Sequence, residues 1–155
     1  RLKAEVDIPI VLHTHDTTGN QVAALLMAAE AANELNDLPY AKEQLRKVRF
    51  RAFKSNEAVD KYLEGIGSKD AMFKAIYRER MLEFSCEQIR KQDLIRWGIY
   101  YDRVMETAQE LVNWYSNANY AVARYIIKGR HELLPIPQRD LDMMPKCKQN
   151  SGWGQ

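Results

Sequence analysis

Small and apolar residues at helical spacing set the tightest limit on what this chain can fold into. Over residues 20–36, Val22, Leu25, Leu26, Ala29, Ala32, Asn33 and Leu35 recur at intervals of three and four, the repeat of a helix that buries one face. Alanine at 23, 24, 28, 29, 31 and 32 raises helix propensity, and such short side chains let another helix approach closely. Asn36-Asp37-Leu38-Pro39 breaks the pattern. Pro39 suits the first turn of a second helix, where its missing N–H costs nothing, and that helix runs through Leu45, Val48 and Ala52 to about Phe53. The expected product is a helix hairpin.

The same punctuation continues along the chain. A short helix is expected over residues 56–64, stopped by Gly65 and Gly67. Ser68 then stands as an N-cap, with Asp70 in the first turn, for the strongest helix of the chain, over residues 69–88; the serine oxygen and the carboxylate both suit the unpaired N–H groups of a helix start. The pattern runs on through Arg90 to Trp97, with or without a bend, and Gly98 follows. A further helix over residues 100–115 buries Val104, Ala108, Leu111 and Val112, or a neighbouring face. Beyond it the helical signal fades over residues 116–129, and Leu133-Leu134-Pro135-Ile136-Pro137 must be extended around its two prolines. The segment Gln149-Asn150-Ser151-Gly152-Trp153 reads as a tail whose tryptophan can plug back onto the body. At the other end, Val6, Ile8, Ile10, Val11 and Leu12 around Pro9, then Thr17-Thr18-Gly19, read as an extended opening segment that closes in a turn.

These elements describe an all-α chain, a helix-hairpin scaffold with long irregular carboxyl-terminal loops. Ala28, Glu30, Ala31, the Asn-Asp-Leu-Pro turn, Ala41 and Leu45 resemble one tetratricopeptide-type unit, although a generic helix hairpin gives nearly the same pattern. No linker divides the chain, so residues 1–155 are read as a single domain that belongs to a larger chain.

Composition removes several functions. Twenty-three Lys plus Arg against twenty-one Asp plus Glu leave a net charge of +2 with no single-sign block, so no basic patch follows a nucleic-acid backbone. No apolar run approaches the ~18 residues of a membrane span, and the first residues are charged where a signal peptide needs an apolar stretch. Cys86 and Cys147 permit one disulfide and require none. His13 and His15 form a possible metal pair without an evident third ligand, and solvent-exposed histidines are the plainer account. No cofactor or metal is expected, and no nucleophile, zinc or phosphate-loop motif is present.

The richest charge pattern follows Ser68. At about 100° per residue, Met72, Phe73 and Ile76 define an apolar face, and Arg80, Glu83, Glu87, Arg90, Leu94 and Trp97 stay within a quadrant of it if the helix continues. Two arginines and two glutamates at spacings of three and four can neutralise one another, as partly buried charges must. Arg80, Glu83, Glu87 and Arg90, extended by Asp93 and Arg96, are therefore expected to form a structural network. The sharper alternative makes Glu83 and Glu87 a glycosidase pair. That chemistry needs one carboxyl kept protonated in an apolar pocket, whereas an arginine at helical spacing holds each glutamate ionised.

Arg80-x-x-Glu83-Phe84-x-x-Glu87-x-x-Arg90-x-x-Asp93-Leu94-x-Arg96-Trp97-Gly98 resembles the signature near the carboxyl end of SusD/RagB proteins. Three more segments appear in the order of that family: residues 28–35, residues 45–52, and Leu134-Pro135-Ile136-Pro137 with Gln149-Asn150-Ser151-Gly152-Trp153. Two places depart from it. Gln88 stands where the family usually has glycine, so the expected bend is straighter, and Leu12-His13-Thr14-His15-Asp16 is unlike the family's run ahead of the first helix.

The resemblance implies the carboxyl-terminal part of a larger helical lipoprotein anchored on the outer face of a bacterial outer membrane. Such a protein binds oligosaccharides, or in some members peptides, without cleaving them, and passes them to a TonB-dependent SusC-like transporter. Membrane contact would run only through a lipid anchor outside this chain. For sugar binding, exposed aromatic faces beside amides are needed. Trp114, Tyr115, Asn117 and Tyr120 offer that combination at a helix end and in the loop after it; the alternative is that Trp114 and Tyr115 close the helix end onto the core, while Trp97 and Trp153 pack. The competing function is a tetratricopeptide-like scaffold binding a peptide or protein partner without carbohydrate.

Overall fold

The computed structural model describes residues 18–53, 55–85, 87–115 and 120–154, with side chains from residue 21 onward. Every element among these residues is helical: α1 (Thr18–Glu34), α2 (Leu38–Phe53), α3 (Asn56–Glu64), α4 (Lys69–Glu83), α5 (Arg90–Arg96), α6 (Tyr100–Trp114), α7 (Ala121–Tyr125) and α8 (Gln138–Met143). They fall into two compact units, the first ending at Glu87 and the second beginning at Gln88. The opening segment, His13, His15, Cys86 and Asn117 lie outside the described residues.

The first unit is built on the expected hairpin. Asn36 takes φ +61° past the end of α1. There the Asp37 N–H donates to the Ala32 carbonyl at 2.8 Å and the Asn36 N–H to the Asn33 carbonyl at 3.1 Å, which satisfies carbonyls a helix end leaves open. Asp37 then caps α2, its Oδ1 accepting from the Tyr40 N–H at 3.1 Å. Ser55 and Ser68 cap α3 and α4, accepting from the Ala58 and Ala71 N–H groups. Helices α1 and α2 pack on each other, α4 lies against both, and α3 packs on α2. Leu26, Leu45, Val48, Val59, Met72 and Ile76 are buried where these helices meet. Asn33, also buried, donates its amide to the Lys69 carbonyl at 3.1 Å and so ties α1 to the start of α4.

The helix after Ser68 is shorter than its sequence pattern. It ends at Glu83, not at residue 88, and Gln88 adopts φ +59° before α5 begins at Arg90. The straighter passage expected from the missing glycine is thus not found. The chain bends with a glutamine in the left-handed region, at a steric cost that glycine would avoid. The stripe from Arg80 to Trp97 is therefore not one helix face.

In the second unit α5 contacts α6, and α6 contacts α7. Helix α6 buries Val104 alone; Ala108 and Leu111 are half-buried, and Val112 is exposed. Helices α7 and α8 stand within segments whose sequence pattern is too weak to mark them. Residues 134–137 form no regular secondary structure, and Pro137 takes φ −54° and ψ 139°. The tail fastens that segment through side chains: Gln149 Oε1 accepts from the Ile136 N–H and its Nε2 donates to the Ile136 carbonyl, each at 2.8 Å. Asn150 donates to the Leu134 carbonyl at 2.7 Å. The Trp153 indole N–H reaches the Arg130 and Leu133 carbonyls at 3.0 Å, so the tryptophan plugs back as expected.

Candidate functional site

The sugar candidates lie at the junction of α6 and α7. Trp114 is the last residue of α6 and is 78% exposed; Tyr115 follows in extended backbone and is 66% exposed. On the helical wheel Trp114 lies about 80° from buried Val104, on the flank of α6 that also carries Arg103 and Glu110. Neither aromatic closes onto the core of its unit. Tyr120, half-buried, occupies the N-cap position of α7. The structure thus puts three of the four candidates on the two flanks of one connection.

A cleft of about 260 Å³ opens elsewhere in the same unit. Its walls include Lys91, Tyr100, Tyr125, His131, Leu134 and Trp153. Trp153 is fixed by its two carbonyl contacts, with the Arg130 guanidinium 4.2 Å from its ring centre and the His131 ring edge-on at 5.5 Å. His131 Nδ1 accepts from the Ile127 N–H at 2.8 Å. Since an accepting ring nitrogen carries no proton, Nε2 is the N–H donor of that ring. Sequence pattern gave no hint of this cleft, because its walls come from residues 91 to 153 and meet only in the fold.

The charged motif is divided between the units. In the first, Arg80 is buried with its guanidinium 5.0 Å from the Phe84 ring centre. Glu83, whose side chain is 13% exposed, pairs with Arg51 of α2. Glu87 is exposed, which corrects its expected place among buried charges. In the second, buried Asp93 accepts from Arg96 Nε at 3.0 Å. Arg90 and Arg96 lie 5.8 and 4.6 Å from the Trp97 ring centre.

The most deeply buried carboxylate among the described residues of the first unit is one the motif does not single out. Glu79 on α4 accepts from Arg49 Nη1 of α2 at 2.5 Å. Arg49 also stacks 3.7 Å over the Tyr62 ring of α3 and 5.0 Å from the Phe53 ring, so one guanidinium joins three helices. Burial raises the Glu79 pKa above the ordinary glutamate value, and Arg49 opposes that rise. Glu79 and Glu83 are thus each paired with an arginine of α2. Among the described residues no cluster of His, Cys, Asp or Glu could hold a metal ion, and Cys147 is exposed. No described helix is long and apolar enough to cross a membrane.

Comparison with known proteins places this architecture. The family model described as the SusD family matches residues 24–153. SusD-like protein P25 of Formosa agariphila is 38% identical over 120 residues, which cover 77% of this chain and 20% of that protein. A crystal structure of a SusD homolog from Bacteroides thetaiotaomicron is similar with a TM-score of 0.72 at 38% identity, over 85% of this chain and 26% of that one. The chain therefore spans a fifth of the length of the curated relative it matches.

Proposed function

The chain belongs to the SusD family, and on that premise we propose that it forms the carboxyl-terminal region of a protein that captures glycans for uptake. The longer protein is held at the bacterial outer-membrane surface by a lipid anchor and delivers its ligand to a TonB-dependent SusC-like transporter. It binds and does not cleave, in keeping with the arginine-locked Glu79 and Glu83. At the level of residues, the supporting observation is Trp114. An indole 78% exposed at the end of a helix, beside Tyr115, has a flat apolar face to stack on a pyranose, and loops at element ends commonly present ligand residues.

The test is calorimetry of the full-length, unlipidated protein against soluble plant, host and microbial oligosaccharides, with Trp114→Ala alongside. Binding of one glycan class without cleavage products supports capture, and its loss in the variant places ligand contact at the α6–α7 connection. A protein that binds no sugar, or releases shorter ones, is not a glycan-capture protein of this kind.

A further inference from the structure

We propose that the cleft walled by Tyr100, Tyr125 and Trp153 is a subsite for a single anionic sugar residue, one carrying a carboxylate or a sulfate ester. The inference rests on the glycan-capture reading and adds a second site, with a charge preference, to the Trp114 flank.

Size is the first argument. At about 260 Å³ the cleft falls just below the roughly 300–1,000 Å³ of pockets that enclose drug-sized ligands, so it suits one ring and not an extended chain. Its walls supply the second. Aromatic surface is what the apolar face of a pyranose stacks on: Trp153 is held in place by two carbonyls at 3.0 Å, and Tyr125 at the end of α7 leaves 72% of its surface open. Polarity is the third. The nitrogen groups on the walls are donors, namely the Lys91 ammonium, which lies 5.4 Å from the Tyr100 ring centre, and the Nε2–H of His131. Among the described residues no Asp or Glu lines the cleft. A wall of donors beside a cation is matched by a ligand rich in acceptors and negatively charged. The carboxyl-terminal tail then acquires a role in binding, because the contacts of Gln149, Asn150 and Trp153 fix the segment that forms one wall.

The test uses the full-length protein with 5-fluorotryptophan incorporated, the Trp153 signal being assigned through Trp153→Phe. Methyl β-glucuronide, glucose 6-sulfate and methyl β-glucoside are titrated in turn while that fluorine resonance is followed. The expected result is that an anionic sugar binds about fivefold more tightly than the glucoside, the order of one exposed ion pair. Lys91→Met should remove the difference, and exposed Tyr125→Ala should weaken all three. Which anion binds more tightly identifies carboxylate or sulfate. Equal binding of glucuronide, sulfate and glucoside would overturn the charge preference. Tighter binding of the neutral N-acetylleucine amide would overturn the sugar assignment and give the cleft to a peptide. A silent Trp153 in a protein that still binds oligosaccharides by calorimetry overturns the subsite and leaves capture standing. A protein that binds no sugar by either method removes both.

Discussion

Arg49 and Glu79 lie 2.5 Å apart, guanidinium to carboxylate, with 12% and 5% of their side chains exposed, and they link helices 30 positions apart in the chain. The burial of Glu79 makes the stability of the first unit depend on pH. Burial raises the Glu79 pKa, with Arg49 acting against the rise. A raised pKa means that the folded protein holds the proton more tightly than the unfolded chain. Stability from this group is therefore full below the ordinary glutamate value and is lost as pH rises through the folded value. Arg49→Met removes the opposing charge. It should cost about 3 kcal/mol at pH 7 and clearly less at pH 4, where Glu79 can be neutral. Denaturant midpoints at the two pH values measure this; a deficit that does not change with pH would assign the role of Arg49 to its stacking on Tyr62.

The neighbouring pair should matter much less. Arg51 is 49% exposed where it meets Glu83, so solvent screens the attraction. Arg51→Ala is expected to cost under about 1 kcal/mol in the same measurement. A loss as large as that of Arg49→Met would show that the two pairs act as one network.

The turn between α4 and α5 is open to improvement. Gln88→Gly relieves a left-handed glutamine and should stabilise by about 0.5–1 kcal/mol, seen as a higher denaturation midpoint. Exposed Glu87→Gln should change stability by under about 0.5 kcal/mol. If Gln88→Gly destabilises, the glutamine side chain holds the bend through contacts worth more than the strain.

At the tail, Gly152 has φ +79°, and a Cβ there would stand 2.9 Å from the Arg130 Cβ. Gly152→Ala should loosen the clasp, speeding hydrogen exchange at the Ile136 N–H by about tenfold or more, a factor equal to 1.4 kcal/mol of local opening. Gly154→Ala, with open space around it, should leave that amide unchanged. Equal exchange in both variants would mean that Gln149 holds Ile136 without help from Trp153.

What the sequence made legible was local. Ser68 with Asp70, and Asn36-Asp37 before Pro39, signal helix ends through bonds to atoms three to five residues away, so the first three helices and the start of the fourth are readable. The end of α4 was not, because residues 83–89 contain no glycine or proline and keep the apolar and charged spacing of a helix. Partner choice was hidden for another reason. Glu83 has arginines at helical spacing along its own segment, yet it meets Arg51 from α2, a contact set by helix packing. Glu79 stands between Arg78 and Arg80, where nothing in the sequence marks it as the partner of Arg49. Trp114 was readable as a candidate because a tryptophan beside Tyr and Asn at a helix end is a composition signal; the cleft at Trp153 had none.

The amide clasp on residues 134–137 also bears on solubility. A partly exposed, irregular Leu-Leu-Pro-Ile-Pro run would ordinarily be sticky, offering free N–H and C=O groups to any passing strand. Here Pro135 and Pro137 have no N–H to offer. The N–H between them is taken by Gln149, and the Leu134 and Ile136 carbonyls are taken by Asn150 and Gln149. The segment therefore offers a passing strand few of the groups it would need, which lowers the risk that its apolar side chains seed aggregates.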